Sequence, residues 1–288
     1  MPRDILDISS NKSNPYQRDL FSQLKSYLRE LYRYRWLTIT VAYSELQNSV
    51  IRYPMRYLWW FLEPLLLLLC YVFLIKVLGR GGPRNGVPFP LFIFVGILPW
   101  FWTIKCISGA STLVSKYSGP ISQIRFPILT LIFALFIYQT LLFLASLVVL
   151  VSVLLAFSYW PNVNWLYWPL IFFVHSLLIL TILPPVTAFS VFVPDISKFL
   201  PFILRLWFYG SPILWDMDMA KSHLSPALKT LFICNPISFI FTSYRDILLY
   251  NKSPDIHSLL CWLLVLIFLA ALSMIFFINK EKSFARFL

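Results

Sequence analysis

The sequence predicts an all-α polytopic membrane protein with six transmembrane helices, an N-terminal amphipathic interface helix and re-entrant helices before the last span. Three observations carry that expectation. Of the 288 residues, 59% are hydrophobic and only 12% are charged, about half the charged share of an ordinary soluble domain. The apolar residues gather into runs long enough to cross a bilayer, which takes roughly 20 residues as a helix. The formal net charge of +12 comes from Lys and Arg that mostly flank those runs. Membrane orientation therefore accounts for the charge better than nucleic-acid binding does.

Taken in order, residues 1–18 are polar, carry Pro2 and Pro15, and read as a flexible cytoplasmic tail. Next, Leu20, Phe21, Leu24, Tyr27, Leu28, Leu31 and Tyr32 recur at helical spacing, while Arg18, Lys25, Arg29 and Arg33 take the other face. Such a helix suits the membrane interface. A second segment, 36–50, leads to Pro54, which should bend or break the chain before the first span. Residues 19–56 thus form an interface helix and gate segment. The first 50 residues lack a continuous apolar core, so no cleavable signal peptide is expected.

The transmembrane domain fills 57–288. Its first span, 57–78, would be about 33 Å long as a helix. A Gly-rich turn over 79–86 follows. The second span, 89–113, contains Pro99 and Lys105. Residues 113–127 form a polar, basic island between apolar runs, where a soluble partner can take hold. Residues 128–157 are an uncharged third span, and 159–164 make a short loop. The fourth span, 165–193, contains Pro184 and Pro185, which should kink it. After a polar turn over 194–198 comes a short fifth span, 199–215, with Arg205 inside. Asn235, Pro236, Arg245 and Asp246 interrupt residues 216–255. That region reads as re-entrant or interfacial helices buried against protein, where alone the bilayer tolerates them. The last span is 256–278.

Six crossings place both termini on one side. Nine Lys and Arg precede residue 57 and three follow residue 279, and Lys116, Arg125 and Lys198 join them. The other side has Arg80 and Arg84, plus Lys221, Lys229, Arg245 and Lys252 in the long interrupted region. The positive-inside rule puts both termini and the island in the cytoplasm.

Few residues point to chemistry. The Gly-rich turn lacks the Lys that a phosphate-binding loop requires, so the chain itself is not expected to bind ATP. His175, His223 and His257 fall in separate segments, with His175 expected as a structural group and the other two on the outer surface. Cys70, Cys106, Cys234 and Cys261 stand alone and read as buried small hydrophobes. No paired carboxylates suggest hydrolysis. A membrane-embedded acyl- or glycosyltransferase should gather His, Asp or Glu near one face, which this sequence does not do.

Intramembrane charge is more telling. Glu63 lies seven residues after Arg56 on one helical face, and Arg205 lies mid-way in the fifth span. Glu63 can pair with Arg56 or Arg205, either as a structural ion pair or as part of a substrate path. Aromatics cluster at Trp59-Trp60-Phe61, Trp100-Phe101-Trp102 and Trp207-Phe208-Tyr209. Aromatic faces stack on sugar rings or anchor a helix at the lipid interface; Trp100 and Trp102 suit anchoring. Trp59, Trp60, Glu63, Arg205, Trp207 and Tyr209 are the candidate lining of a pathway.

The ordered set Arg56-Tyr57-Leu58-Trp59-Trp60-Phe61-Leu62-Glu63-Pro64, Phe94-Val95-Gly96-Ile97-Leu98-Pro99-Trp100-Phe101-Trp102, Ile124-Arg125-Phe126-Pro127, Asp195-Ile196, Ser211-Pro212-Ile213 and Asn235-Pro236 resembles a known family. The chain is similar, from about residue 25 onward, to the membrane subunit of polysaccharide-exporting ABC transporters. This is the ABC-2 type permease family that exports O-antigen, capsule and teichoic acid. The longer N-terminal tail and the heavier aromatic load depart from its pattern.

The resemblance implies a homodimer in a bacterial inner membrane, moving a lipid-linked polysaccharide. It also implies two copies of a separate phosphate-loop ATPase, which carry ATP and Mg, with no cofactor on this chain. The interface helix and the island would meet that ATPase, placing Arg29, Arg33, Lys116, Tyr117 and Arg125 at the contact. The first and fifth spans of both copies would build the channel, and the re-entrant segment would shape its outer exit. An exporter of a lipid or drug from the same superfamily is the nearest alternative.

Overall fold

The computed structural model describes residues 20–51, 54–78, 86–123, 126–216, 235–281 and 283–284. These residues form α1 (Leu20–Arg33), α2 (Arg35–Ile51), α3 (Trp59–Leu78), α4 (Phe89–Lys116), α5 (Ser118–Gln123), α6 (Leu129–Ala156), α7 (Trp168–Phe192), α8 (Ile196–Tyr209), α9 (Pro236–Leu248) and α10 (Ile256–Glu281). Short 3₁₀ turns precede α3 and α7.

Four helices are long and apolar enough to cross a membrane: α4, α6, α7 with its leading turn, and α10. The protein is therefore an all-helical, multi-pass membrane protein. In α3 the apolar stretch is shorter, Trp59–Phe73. With 14 residues, α8 reaches about 21 Å, less than the roughly 30 Å of a bilayer core.

Helix α4 is the centre of the bundle. Its apolar window is 78% buried, against 17% for α10, so α10 lines the outside and α4 is enclosed by protein. Helices α6, α7, α8 and α9 pack around α4, and α10 runs along α7. An aromatic stack joins three of these helices. The Trp102 ring lies 4.6 Å from Phe143 and 5.2 Å from Phe172, nearly parallel to both. Its edge meets His175 at 4.8 Å. Stacked rings of this kind add specific geometry to apolar packing, which matters where lipid offers no hydrophobic drive.

Local residues set the helix ends. The chain leaves α6 through Ser158, whose φ of 66° breaks the right-handed helix as a C-terminal residue in the left-handed region does. Asn235 caps α9 by accepting from the Ile237 amide at 3.2 Å, with Pro236 in the first helical position. Asp255 precedes α10 and accepts from the Ser258 hydroxyl at 2.6 Å and the His257 amide at 3.1 Å. The Ser258 hydrogen bond is the main reason its carboxyl is held below the ordinary range.

Long-range hydrogen bonds gather the chain into two ends. At one end, Glu281 of α10 takes the Ile128 amide at 2.6 Å and the Tyr27 hydroxyl of α1. At the other, the Asn164 amide donates to the Asn251 backbone and side chain at 2.9 and 2.8 Å.

Three expectations change. Trp100 and Trp102 are 1% and 2% exposed, so they are core residues of the enclosed helix rather than lipid anchors. Arg245, counted with the charges of the outer region, is 3% exposed and sits inside α9. Of the cysteines, Cys106 is buried as expected, but Cys70 and Cys261 are exposed on peripheral helix faces. Cys234 and His223 lie outside the described residues.

Candidate functional site: an aromatic cavity beside α3 and a clamped basic segment

A cavity of about 710 Å³ lies between α3, α4 and α6, with Ser49 of α2 also in its lining. Trp59, Trp60 and Glu63 from α3 all line it. Four residues make just over one helical turn, so Trp59 and Glu63 present to the same side. The Glu63 carboxylate meets Lys105 Nζ of α4 at 2.7 Å. The expected partners of Glu63 were Arg56 and Arg205. The structure gives it Lys105, because α4 and not α8 stands beside this part of α3; the Arg56 side chain lies outside the described residues. Lys105 sits about three turns before the end of α4, where a lone charge needs a partner.

The walls of this cavity are apolar and aromatic, yet three polar atoms on its lining residues lack a hydrogen-bond partner. They are Trp60 Nε1, Trp102 Nε1 and Gln139 Oε1. Each is costly to leave unmet inside a membrane. What the cavity itself presents is aromatic surface from Trp59 and Trp60 beside the Glu63–Lys105 ion pair.

Arg205 and Tyr209 line a second cavity of about 350 Å³, shared by α3, α4 and α8. The pathway candidates thus divide between two cavities. Trp207 belongs to neither lining. It packs edge-on against Trp100 at 5.8 Å and donates to Asn235 Oδ1 at 3.3 Å, so it braces α8 against the bundle.

The basic island is engaged internally at both ends. Lys116 Nζ lies 2.5 Å from the Glu45 carboxylate of α2, and the Tyr117 hydroxyl donates to the same carboxylate. Burial, then Glu45, pushes the Tyr117 phenol above its ordinary range, so it keeps the proton it donates. Tyr27 is held up in the same way, by burial and then Glu281. Arg29 and Arg33 are exposed on α1. Arg125 lies outside the described residues.

A third site escaped sequence reading. Arg245 donates to the carbonyls of Phe92 at 3.3 Å, Pro212 at 2.5 Å and Ile213 at 2.6 Å. Its guanidinium also lies over the Phe92 ring, 3.7 Å from the centroid. A Cβ on Gly96 would fall 2.6 Å from its Nη2, which explains a glycine at that point of α4. Asn235 Nδ2 donates to Ser211 Oγ at 3.1 Å. The motifs Ser211-Pro212-Ile213, Asn235-Pro236 and Gly96 thus meet at one junction around Arg245. The available signal was an arginine in an otherwise apolar helical pattern. Its acceptors, distant backbone carbonyls, leave no mark in sequence.

Fold and sites together define a polytopic helical membrane protein with a cavity among its helices. Known proteins sharpen this. No family model matches the chain. It is 28% identical over 258 residues to the O-antigen export system permease protein RfbA of Myxococcus xanthus, covering 90% of this chain and 97% of that protein. It is also 24% identical over 212 residues to the O-antigen export system permease protein RfbA of Klebsiella pneumoniae, covering 73% and 79%. These relatives bear out the resemblance to polysaccharide-export permeases that the motifs carried.

Proposed function

We propose that this chain is the transmembrane permease subunit of an ATP-driven exporter that moves a lipid-linked polysaccharide across a bacterial inner membrane. The similarity over nine-tenths of the chain to an O-antigen export permease carries this reading. The polymer is of O-antigen, capsule or teichoic-acid type. The working unit is a homodimer with two phosphate-loop ATPase subunits, which hold ATP and Mg.

Six crossings with both termini cytoplasmic accord with the two gathered ends of the bundle. Helix α8 starts near the end that holds Glu281, and the chain reaches the opposite end by Asn251. The α8–α9 region therefore supplies one net crossing, α8 covering part of it and the buried α9 standing against α4 and α7 as a re-entrant element. The exposed basic face of α1 is the membrane-interface surface that meets the ATPase, with Arg29 and Arg33 in contact. Arg125, in the segment that Glu45 and Glu281 hold at either side, completes it. Trp59, Trp60 and Glu63 in the first cavity, and Arg205 and Tyr209 in the second, line the route of the glycan and its lipid. ATP-driven closure of the partner selects the state in which these contacts open a continuous path.

Co-purification with a phosphate-loop ATPase, followed by ATP hydrolysis with and without lipid-linked polymer, tests the reading. A stable complex with polymer-stimulated hydrolysis is expected. Failure to assemble, or hydrolysis indifferent to every polymer of the three classes, overturns it.

A further inference from the structure

Two carboxylates hold the cytoplasmic segment that joins α4 to α6, one on each side. Where the segment begins, Glu45 accepts from both Lys116, at 2.5 Å, and Tyr117. Where it ends, Glu281 accepts from the Ile128 amide at 2.6 Å and from Tyr27. Helix α6 has no side-chain cap of its own at Ile128. Glu281 supplies one from another helix, where a negative charge also suits the helix dipole.

The elements behind the two carboxylates differ. Glu45 is on α2, which leads into α3, and Ser49 one turn further along α2 lines the large cavity with Glu63. Glu281 is the last residue of α10, which runs along α7. Through Tyr27 it also holds α1. The segment is thus tied to the first span on one side, and to the last span and α1 on the other.

We propose that Glu45 and Glu281 are transmission residues: positioning groups that convert displacement of the 117–127 segment into movement of α3 through α2, and of α10 and α1. The proposal rests on the coupling to an ATPase set out above, but it assigns the linkage to particular atoms. Glu45 is 17% exposed in its side chain while its partner Lys116 is 55% exposed. The carboxylate is the fixed point and the lysine the part that a docking partner can push. Lys116 and Tyr117 then act through Glu45 rather than only by touching the partner.

The test uses the full chain assembled with its ATPase in lipid nanodiscs and, in parallel, export in cells. Glu45→Gln and Glu281→Gln keep the shape, but an amide has a single acceptor oxygen and no charge, so neither can hold both donors as a carboxylate does. Tyr27→Phe removes one hydroxyl and nothing else. Each variant is expected to assemble at wild-type level and to hydrolyse ATP within twofold of wild type, while polymer exported per ATP falls at least fivefold. A merely structural role would lower assembly, hydrolysis and export in proportion and leave that ratio unchanged. An unchanged ratio in all three variants overturns the proposal. If the wild-type chain forms no ATPase complex, the function proposed above fails instead, which separates the two outcomes.

Discussion

At the scale of single residues, Arg245 and Gly96 make the sharpest case. Arg245 satisfies three buried carbonyls, and leaving such groups unmet costs about 1–3 kcal/mol each. Arg245→Ala should therefore lower stability by on the order of 3 kcal/mol or more, read as a fall in thermal unfolding temperature in detergent. Gly96→Ala drives a methyl group to 2.6 Å from the guanidinium and should cost about 1–3 kcal/mol, as overpacking does. Because the clash is with Arg245 itself, the double variant should lose less than the sum of the two, the mark of residues in contact. An additive double variant would mean that Gly96 serves some other neighbour. Two of the three tryptophans of the pathway reading should separate as well. Trp59 is 38% exposed on the cavity rim, so Trp59→Ala should cut export and leave unfolding unchanged. Trp207 is partly buried and braces α8 on Trp100 and Asn235, so Trp207→Ala should cost somewhat less than the roughly 3–5 kcal/mol of fully buried aromatic truncations, and lower export only with abundance.

At the scale of elements, periodicity and hydropathy made α1, α4, α6, α7 and α10 legible. Each is long enough for its pattern to exceed the noise of single residues. The interrupted region was legible only as an interruption. Its helix α9 is 13 residues long and buried on nearly every side, so it shows neither a clean amphipathic stripe nor a full span. Partners were harder to read than helices. Glu63 carried a visible need for a cation, but three cations were within reach in sequence and only packing selected Lys105. Glu45 and Glu281 gave no signal, since a lone glutamate in a short mixed helix or at the end of an apolar one usually faces water. Asn235, by contrast, was legible as a motif and is explained by its geometry. It caps α9, accepts from Trp207 and donates to Ser211. Asn235→Ala should cost about 1 kcal/mol for the cap alone and more for the lost junction, whereas Asn235→Asp keeps the cap and should recover part of that loss in the same unfolding measurement.

At the scale of the whole molecule, the decisive quantity is the number of crossings between residue 192 and residue 256. Helix α8 is too short to span a bilayer core of roughly 30 Å without help, and Pro201 further interrupts its backbone bonding. Yet its start follows the end of α7, while the chain after α9 is tied to the loop before α7 by Asn164 and Asn251. In the proposed topology α8 and α9 together retrace α7, and α3 crosses, which makes the count six. Single cysteines placed at Ser118, Ser158 and Asn251, in a background with the native cysteines replaced, measure this directly. A membrane-impermeant maleimide applied to spheroplasts should label positions 158 and 251 and spare 118 until the membrane is opened. Labelling of 251 without 158 would separate the loops that Asn164 joins. Sparing of 251 together with 118 would mean that α8 and α9 return to the side they left. The last span would then leave the C-terminus outside, with Lys280, Lys282 and Arg286 on the side where basic residues are least tolerated.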